Sequence, residues 1–257
     1  MELNDYNFCD ELANPYVVKC VLLGHYGVGK STLGHKFLQK TSKYFLNDII
    51  EPTIGIDFIP KTIKLPKYND HKIKLQIWDT AGQEKFKSIV KSYLRNVYVA
   101  YIMFDITNRE SWNEIDTWKD ILDKLNNNFN NLDNSDNSDN SSLNDKNSKK
   151  IPKLVLVGTK SDKPNHTITE SEIKLKSKEW NCNYYILSSK EEDSYITIYN
   201  MFLQETSDFH KDIVWKYKNN KELPYGVLTK DVKKYILNGD DNYQSNKTNK
   251  YKWCCFQ

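Results

Sequence analysis

The stretch Gly24-His25-Tyr26-Gly27-Val28-Gly29-Lys30-Ser31 fits the pattern G-x-x-x-x-G-K-[ST]. Before it runs Tyr16-Val17-Val18-Lys19-Cys20-Val21-Leu22-Leu23, a short apolar, β-branched segment that reads as a buried strand stopping at Gly24. After it, Ser31 to Gln39 reads as a helix with Leu33, Phe37 and Leu38 on one side. Strand, glycine-rich turn and helix is the order in which this pattern carries chemistry. The glycines let the backbone curl so that successive N–H groups converge on phosphate oxygens, and the helix N-terminus adds positive potential. Lys30 can reach the β- and γ-phosphates of a nucleotide, and the Ser31 hydroxyl can ligate Mg²⁺. On this loop alone an ATPase, a nucleotide kinase and a GTPase all remain open.

Moving outward, strands and helices alternate. Ile56 to Leu65 and Lys72 to Trp78 show a period of two around a Pro-Lys-Tyr-Asn-Asp-His break, which predicts a hairpin. Val97 to Phe104 reads as a strand, and Ser111 to Leu125 as a helix with Ile115, Trp118, Ile121 and Leu122 facing in. Lys153 to Val157 and Tyr184 to Leu187 read as strands. Thr169-Glu170-Ser171-Glu172 is a capping box that opens a helix running to Trp180, and a last helix spans Ile196 to about Asp208. The pattern is α/β: a mainly parallel sheet covered by helices on both faces, with the hairpin adding one antiparallel edge strand.

Composition sets the outer limits. The chain has 257 residues with 37 basic and 34 acidic side chains, a net charge of +3, which argues against a dedicated nucleic-acid binder. Its five cysteines, Cys9, Cys20, Cys182, Cys254 and Cys255, suit neither a disulfide framework nor a zinc site. Neither a membrane-spanning run nor a secretory leader is expected. Between Asn126 and Lys150, 19 of 25 residues are Asn, Ser or Asp, and that composition predicts a disordered surface insert. The expected organisation is an N-terminal extension over 1–15, one domain over 16–208 interrupted by the insert at 126–150, and a basic tail over 209–257.

Three further motifs narrow the chemistry. Asp79-Thr80-Ala81-Gly82-Gln83 follows the strand that ends at Trp78. An acid there can hold Mg²⁺ through water, the Gly82 N–H can follow the γ-phosphate, and Gln83 can orient an attacking water. Thr159-Lys160-Ser161-Asp162 follows a strand and Gly158. The Asp162 carboxylate can accept from guanine N1–H and the 2-amino group, a donor pair that adenine lacks. The Lys160 stem can lie along the base plane. Ser188-Ser189-Lys190 can support the base O6 through backbone N–H and buttress Asp162.

The order of Gly24–Ser31, Thr53, Asp79–Gln83, Thr159–Asp162 and Ser188–Lys190 resembles the Ras superfamily of small GTPases. Ile54-Gly55-Ile56-Asp57-Phe58 and Lys74-Leu75-Gln76-Ile77-Trp78-Asp79-Thr80-Ala81-Gly82-Gln83-Glu84 are similar to stretches that typify its Rab family. The resemblance implies a P-loop NTPase small G domain, with a six-stranded, mainly parallel sheet and five helices. It implies GTP and GDP as ligands, held by Gly24 through Thr32, Thr53, Asp79, Gly82, Thr159, Lys160, Asp162 and Ser188 to Lys190. Mg²⁺ would be held by Ser31, Thr53 and Asp79, with Lys30 and Gln83 as the catalytic side chains. Segments around Thr53 and Gln83 would be two switches ordered by GTP, and Phe58, Trp78 and Tyr93 an aromatic triad read by partners. Those partners would be an exchange factor, an activating protein, effectors and a prenyl-carrier protein, with the chain itself a monomer. Cys254 and Cys255 would carry prenyl groups, as two geranylgeranyl chains or, read as a C-a-a-X box, one farnesyl on Cys254. The chain would then sit on the cytoplasmic face of an intracellular membrane with a cytosolic pool, regulating vesicle traffic.

Departures from the pattern carry their own expectations. Thr159 stands where Asn is usual, and Ser189 where Ala is usual. Neither Arg95 nor Arg109 falls in a phosphate-facing segment, so hydrolysis is expected to be slow until a partner supplies a cation. The competing reading is a GTP-binding scaffold that hydrolyses little; an ATPase or kinase conflicts with Asp162. Tyr26, larger than the residues usual at the third loop position, is expected to slow hydrolysis. Single-turnover GTP hydrolysis of Tyr26→Ser should therefore outpace wild type, whereas equal rates with and without an activating protein would remove the effect.

Overall fold

The computed structural model describes residues 16–38, 53, 55–68, 71–80, 93–132, 152–191 and 193–219. Strand β1 (Tyr16–Gly24) is the axis. Its period of two sends Val18, Cys20 and Leu22 into one core and Val21 and Leu23 into another, so both faces of the sheet are covered. The remaining strands are β2 (Ile56–Leu65), β3 (His71–Thr80), β4 (Val99–Asp105), β5 (Lys153–Thr159) and β6 (Asn183–Ile186). They form one six-stranded sheet in the order β2-β3-β1-β4-β5-β6. Only the β2–β3 pair is antiparallel, with Phe58 opposite Trp78; β1 is parallel to β3 and β4, and β4–β5 and β5–β6 follow suit. This is the expected α/β P-loop NTPase sheet with an antiparallel edge strand.

Helices α1 (Lys30–Phe37) and α5 (Ser194–Lys218) cover the first face; α2 (Arg109–Asn113), α3 (Ile115–Leu132) and α4 (Glu170–Glu179) complete the set among the described residues. On the first face Leu33 and Phe37 of α1 share one core with Ile198, Phe202 and Phe209 of α5, and the Phe37 and Phe202 ring centroids lie 4.4 Å apart. On the second, Ile115 and Trp118 of α3 and Ile173 of α4 pack on β1, β4 and β5. The capping box holds as read. Thr169 Oγ1 accepts from the Glu172 N–H, and the Glu172 carboxylate accepts from the Thr169 N–H at 2.8 Å.

Two expected boundaries are corrected. The last helix does not stop near Asp208: it continues to Lys218, with Phe209 and Ile213 buried. Phe202, Phe209 and Ile213 are seven and four residues apart and share one face, so an apolar stripe carries the helix through its charged neighbours. Phe209 meets Tyr98 edge-on with ring centroids 4.7 Å apart, and the Tyr98 hydroxyl donates to Asp212 at 2.8 Å. The Asn-rich insert, in turn, does not begin at 126, because α3 runs on to Leu132. Leu122, Leu125, Phe129 and Leu132 recur at helical spacing among the asparagines. Residues 133–150, the extension over 1–15 and the tail beyond 219 lie outside the described residues. Where the chain re-enters the sheet, Lys153 pairs with the buried Glu205 of α5 at 3.0 Å, and Glu205 also accepts from Tyr185 and Asn183 at 2.5 and 2.8 Å.

Phe209→Ala should therefore lower stability to chemical denaturation by about 3–5 kcal/mol, as for other buried aromatics; a loss below about 1 kcal/mol would return Phe209 to the tail.

Candidate functional site

The chain leaves β1 to build β2 and β3 on one side and then crosses to β4, β5 and β6 on the other. That reversal opens a crevice at the carboxyl ends of the strands, the place where open α/β sheets receive ligands. The candidate residues gather along this edge: Gly24–Ser31 after β1, Asp79 near the end of β3, Thr159–Asp162 at and after β5, and Ser188–Lys190 after β6. Gly82 and Gln83, together with Cys254 and Cys255, lie outside the described residues.

Two glycines shape the loop. Gly24 has φ +145°, and a Cβ there would come within 2.1 Å of the Met103 carbonyl oxygen, so β1 and β4 can approach only at a bare backbone. Gly29, at φ +98°, takes the left-handed conformation that starts α1. The curl folds back on Lys30, whose ammonium donates to the carbonyls of Gly24 and His25, each at 3.0 Å. Lys30 is almost fully buried; burial drives its pKa down to about 8, against the pull of Asp79 and Glu114. His25 holds its Nδ1 2.7 Å from the Tyr26 carbonyl, while the Tyr26 ring is 49% exposed at the loop tip. Val28 is buried, Gly27 is exposed, and Thr32 is half-buried on α1.

Beside the loop three oxygens converge. Ser31 Oγ is 2.5 Å from Asp79 Oδ2 and 2.6 Å from Thr53 Oγ1. Asp79 is fully buried, and its other oxygen, Oδ1, makes no hydrogen bond among the described residues. Burial pushes this carboxyl up, while the Ser31 hydrogen bond and Lys30 pull it down. A carboxylate and two hydroxyls, with one buried carboxylate oxygen unused, is a hard, all-oxygen donor set that fits Mg²⁺ and would suit a soft metal poorly.

The far end of the crevice is knitted from two segments. Leu187 N–H donates to Gly158 O at 2.9 Å, and Ser161 N–H to Leu187 O at 3.4 Å. Ser188 and Ser189 are buried, and Ser188 Oγ accepts from the Lys190 N–H at 3.1 Å. Asp162 is exposed on the turn that follows Lys160. The Thr159 hydroxyl donates to the Val28 carbonyl at 2.6 Å, with the Phe104 carbonyl at 3.0 Å. The residue that departs from the usual Asn thus ties the phosphate loop to the ends of β4 and β5.

Sequence reasoning missed Asp105. It closes β4, lies opposite Thr159 in the ladder, and pairs with Lys160 at 2.6 Å. Burial pushes its carboxyl up, but hydrogen bonds from Lys160 and Thr107 outweigh that and leave it below the usual carboxylate range. No spacing rule marks a lone acid at a strand end; the Asp105-x-Thr107 turn was the available signal. Away from the crevice, Trp78 links Phe58 and Tyr93 in one row, at centroid distances of 5.0 and 5.1 Å. Phe58 is 42% exposed, so the row opens to solvent.

Comparison with known proteins agrees with this geometry. The sequence description of the Ras family matches residues 19–208. The GTP-binding protein ypt4 of Schizosaccharomyces pombe is 44% identical over 110 residues, 42% of this chain and 45% of that protein. The Ras-related protein Rab-39A of Homo sapiens is 40% identical over 103 residues, 40% and 46% of the two chains. The GTP-binding protein YPT1 of Saccharomyces cerevisiae is 43% identical over 109 residues, 42% and 50%. The chain spans about half the length of the curated relatives it matches. With a phosphate-loop sheet and its site residues on one edge, the chain belongs to the Ras family of small GTPases, in the Rab-like subfamily.

Proposed function

We propose that this chain is a GTP/GDP switch that hydrolyses GTP to GDP and phosphate and regulates vesicle traffic from the surface of an intracellular membrane. The convergence of Ser31, Thr53 and Asp79 beside the curled loop that holds Lys30 is the observation that carries the reading. Loop N–H groups and the start of α1 offer donors to phosphate oxygens. The Lys30 ammonium, bonded in this structure to two loop carbonyls, would exchange them for the β- and γ-phosphates. Ser31, Thr53 and Asp79 would hold Mg²⁺, which neutralises charge on the β- and γ-oxygens when bound. Gln83 would orient the attacking water, and the Gly82 N–H would follow the γ-phosphate. Asp162 would accept the two guanine donors, with Ser189 N–H at O6.

Catalysis of this kind is positioning and electrostatics, and developing charge on the phosphoryl oxygens calls for a nearby cation. Arg109 is engaged elsewhere, with Glu172 at 2.6 Å and with the Thr167 carbonyl. The reading is therefore of slow turnover until an activating protein contributes charge. An exchange factor would reverse the switch, effectors would read its GTP form through the row Phe58, Trp78 and Tyr93, and a prenyl carrier would shield its lipids. Family membership supports lipid attachment at Cys254 and Cys255. Among the described residues no helix is long and apolar enough to cross a membrane.

Asp162→Asn should weaken GDP and GTP roughly 10–100-fold in equilibrium titration, the value of a charge-assisted pair, without improving ATP; undiminished guanine affinity would place base recognition elsewhere. Replacing Cys254 and Cys255 together with Ser should move a tagged protein from membranes to cytosol, and a variant that stays on membranes would overturn the lipid anchor.

A further inference from the structure

Asp105 uses its two carboxylate oxygens differently. Oδ1 accepts from the Thr107 N–H at 2.9 Å and the Thr107 hydroxyl at 2.7 Å, closing the turn that leads into α2. Oδ2 faces Lys160 Nζ at 2.6 Å. The Asp105 N–H donates to Ser111 Oγ at 3.0 Å, and Asn108 caps α2 by accepting from the Glu110 N–H at 2.9 Å. The carboxylate is thus held by the turn between β4 and α2, and the Asp105 backbone by Ser111 of α2. The Asp105 side chain is 8% exposed and that of Lys160 30%, so the pair is better shielded than an ordinary surface ion pair. Lys160 also stands at φ +61°, a left-handed backbone that a side chain anchored at its far end helps to hold.

Resting on the guanine-nucleotide reading of the crevice, we propose that Asp105 is a positioning residue for the base. It draws the Lys160 ammonium toward the end of β4, which stretches the lysine stem across the place of the purine ring and keeps the cation off Asp162. Asp162 lies only two residues from Lys160 and is exposed. An ammonium left free there would pair with the Asp162 carboxylate and compete with the two donors of guanine. The acid at the end of β4 thus leaves the acid after β5 open for its ligand.

Asp105→Asn separates this role from the turn, because the amide oxygen can still accept from Thr107 while its NH₂ cannot pair with an ammonium. In the full-length chain, release of a fluorescent GDP analogue should accelerate roughly tenfold, the value of one charge-assisted hydrogen bond, with a similar change for the GTP analogue. Lys160→Met, which keeps the stem and removes the charge, should also accelerate release. In the Lys160→Met background Asp105→Asn should add nothing further. Release by Asp105→Asn at the wild-type rate overturns the inference and leaves the nucleotide reading standing. So does an effect that multiplies undiminished onto Lys160→Met, since Asp105 would then act through the fold. A wild-type chain that retains no GDP overturns both together.

Discussion

A carboxylate with no access to water has to be answered by its surroundings, and Asp79 sets that demand here. One oxygen is bonded to Ser31 and the other has no hydrogen bond among the described residues. Leaving a buried acid half-answered is costly in an isolated fold. It makes sense where a divalent cation completes the set. Ser31 at the start of α1 bonds both Asp79 and Thr53, and the neighbouring Lys30 adds its positive charge, so α1, β3 and the segment before β2 meet at one point. The glycine curl, the antiparallel β2–β3 pair and the burial of β1 serve to hold those segments together.

The sheet order explains why one edge collects everything. β1 stands between the two directions of winding, so the loop after it meets β3 on one side and β4 on the other. Thr159 carries the connection further by bonding the loop at Val28 from the end of β5. This short hydroxyl bridge and the ladder pair Asp105–Thr159 join the two ends of the crevice.

Much of this was legible in the residues because the informative signals were local. A strand, a glycine-rich turn and a helix start are each written within a few positions, as is the Thr169–Glu172 cap. What escaped was either long-range or masked by composition. Asp105 acquires its role only when β4 and β5 lie side by side, and nothing near it in the chain says so. The continuation of α5 was hidden because Phe209 and Ile213 sit among charged and polar residues, yet burial of two apolar side chains on one face outweighs the charges that point to water. Helix α3 likewise runs on among asparagines, whose helix propensity is modest rather than prohibitive. Gln83, Gly82 and the paired cysteines fall outside the described residues, so their roles stand on the sequence and on the family.

Chemistry and recognition are divided in this arrangement. The loop and its oxygens would hold any nucleoside triphosphate by the tail, and the segment after β5 would decide which ring is kept. Calorimetric titration of the purified chain with GDP and, separately, ADP, each with Mg²⁺, tests that division most directly. Guanosine diphosphate should bind more tightly than the adenosine form by a factor of roughly 10⁴ or more, as for sites built to satisfy buried hydrogen-bonding groups. Equal affinity for the two, or no heat from either, would contradict the account.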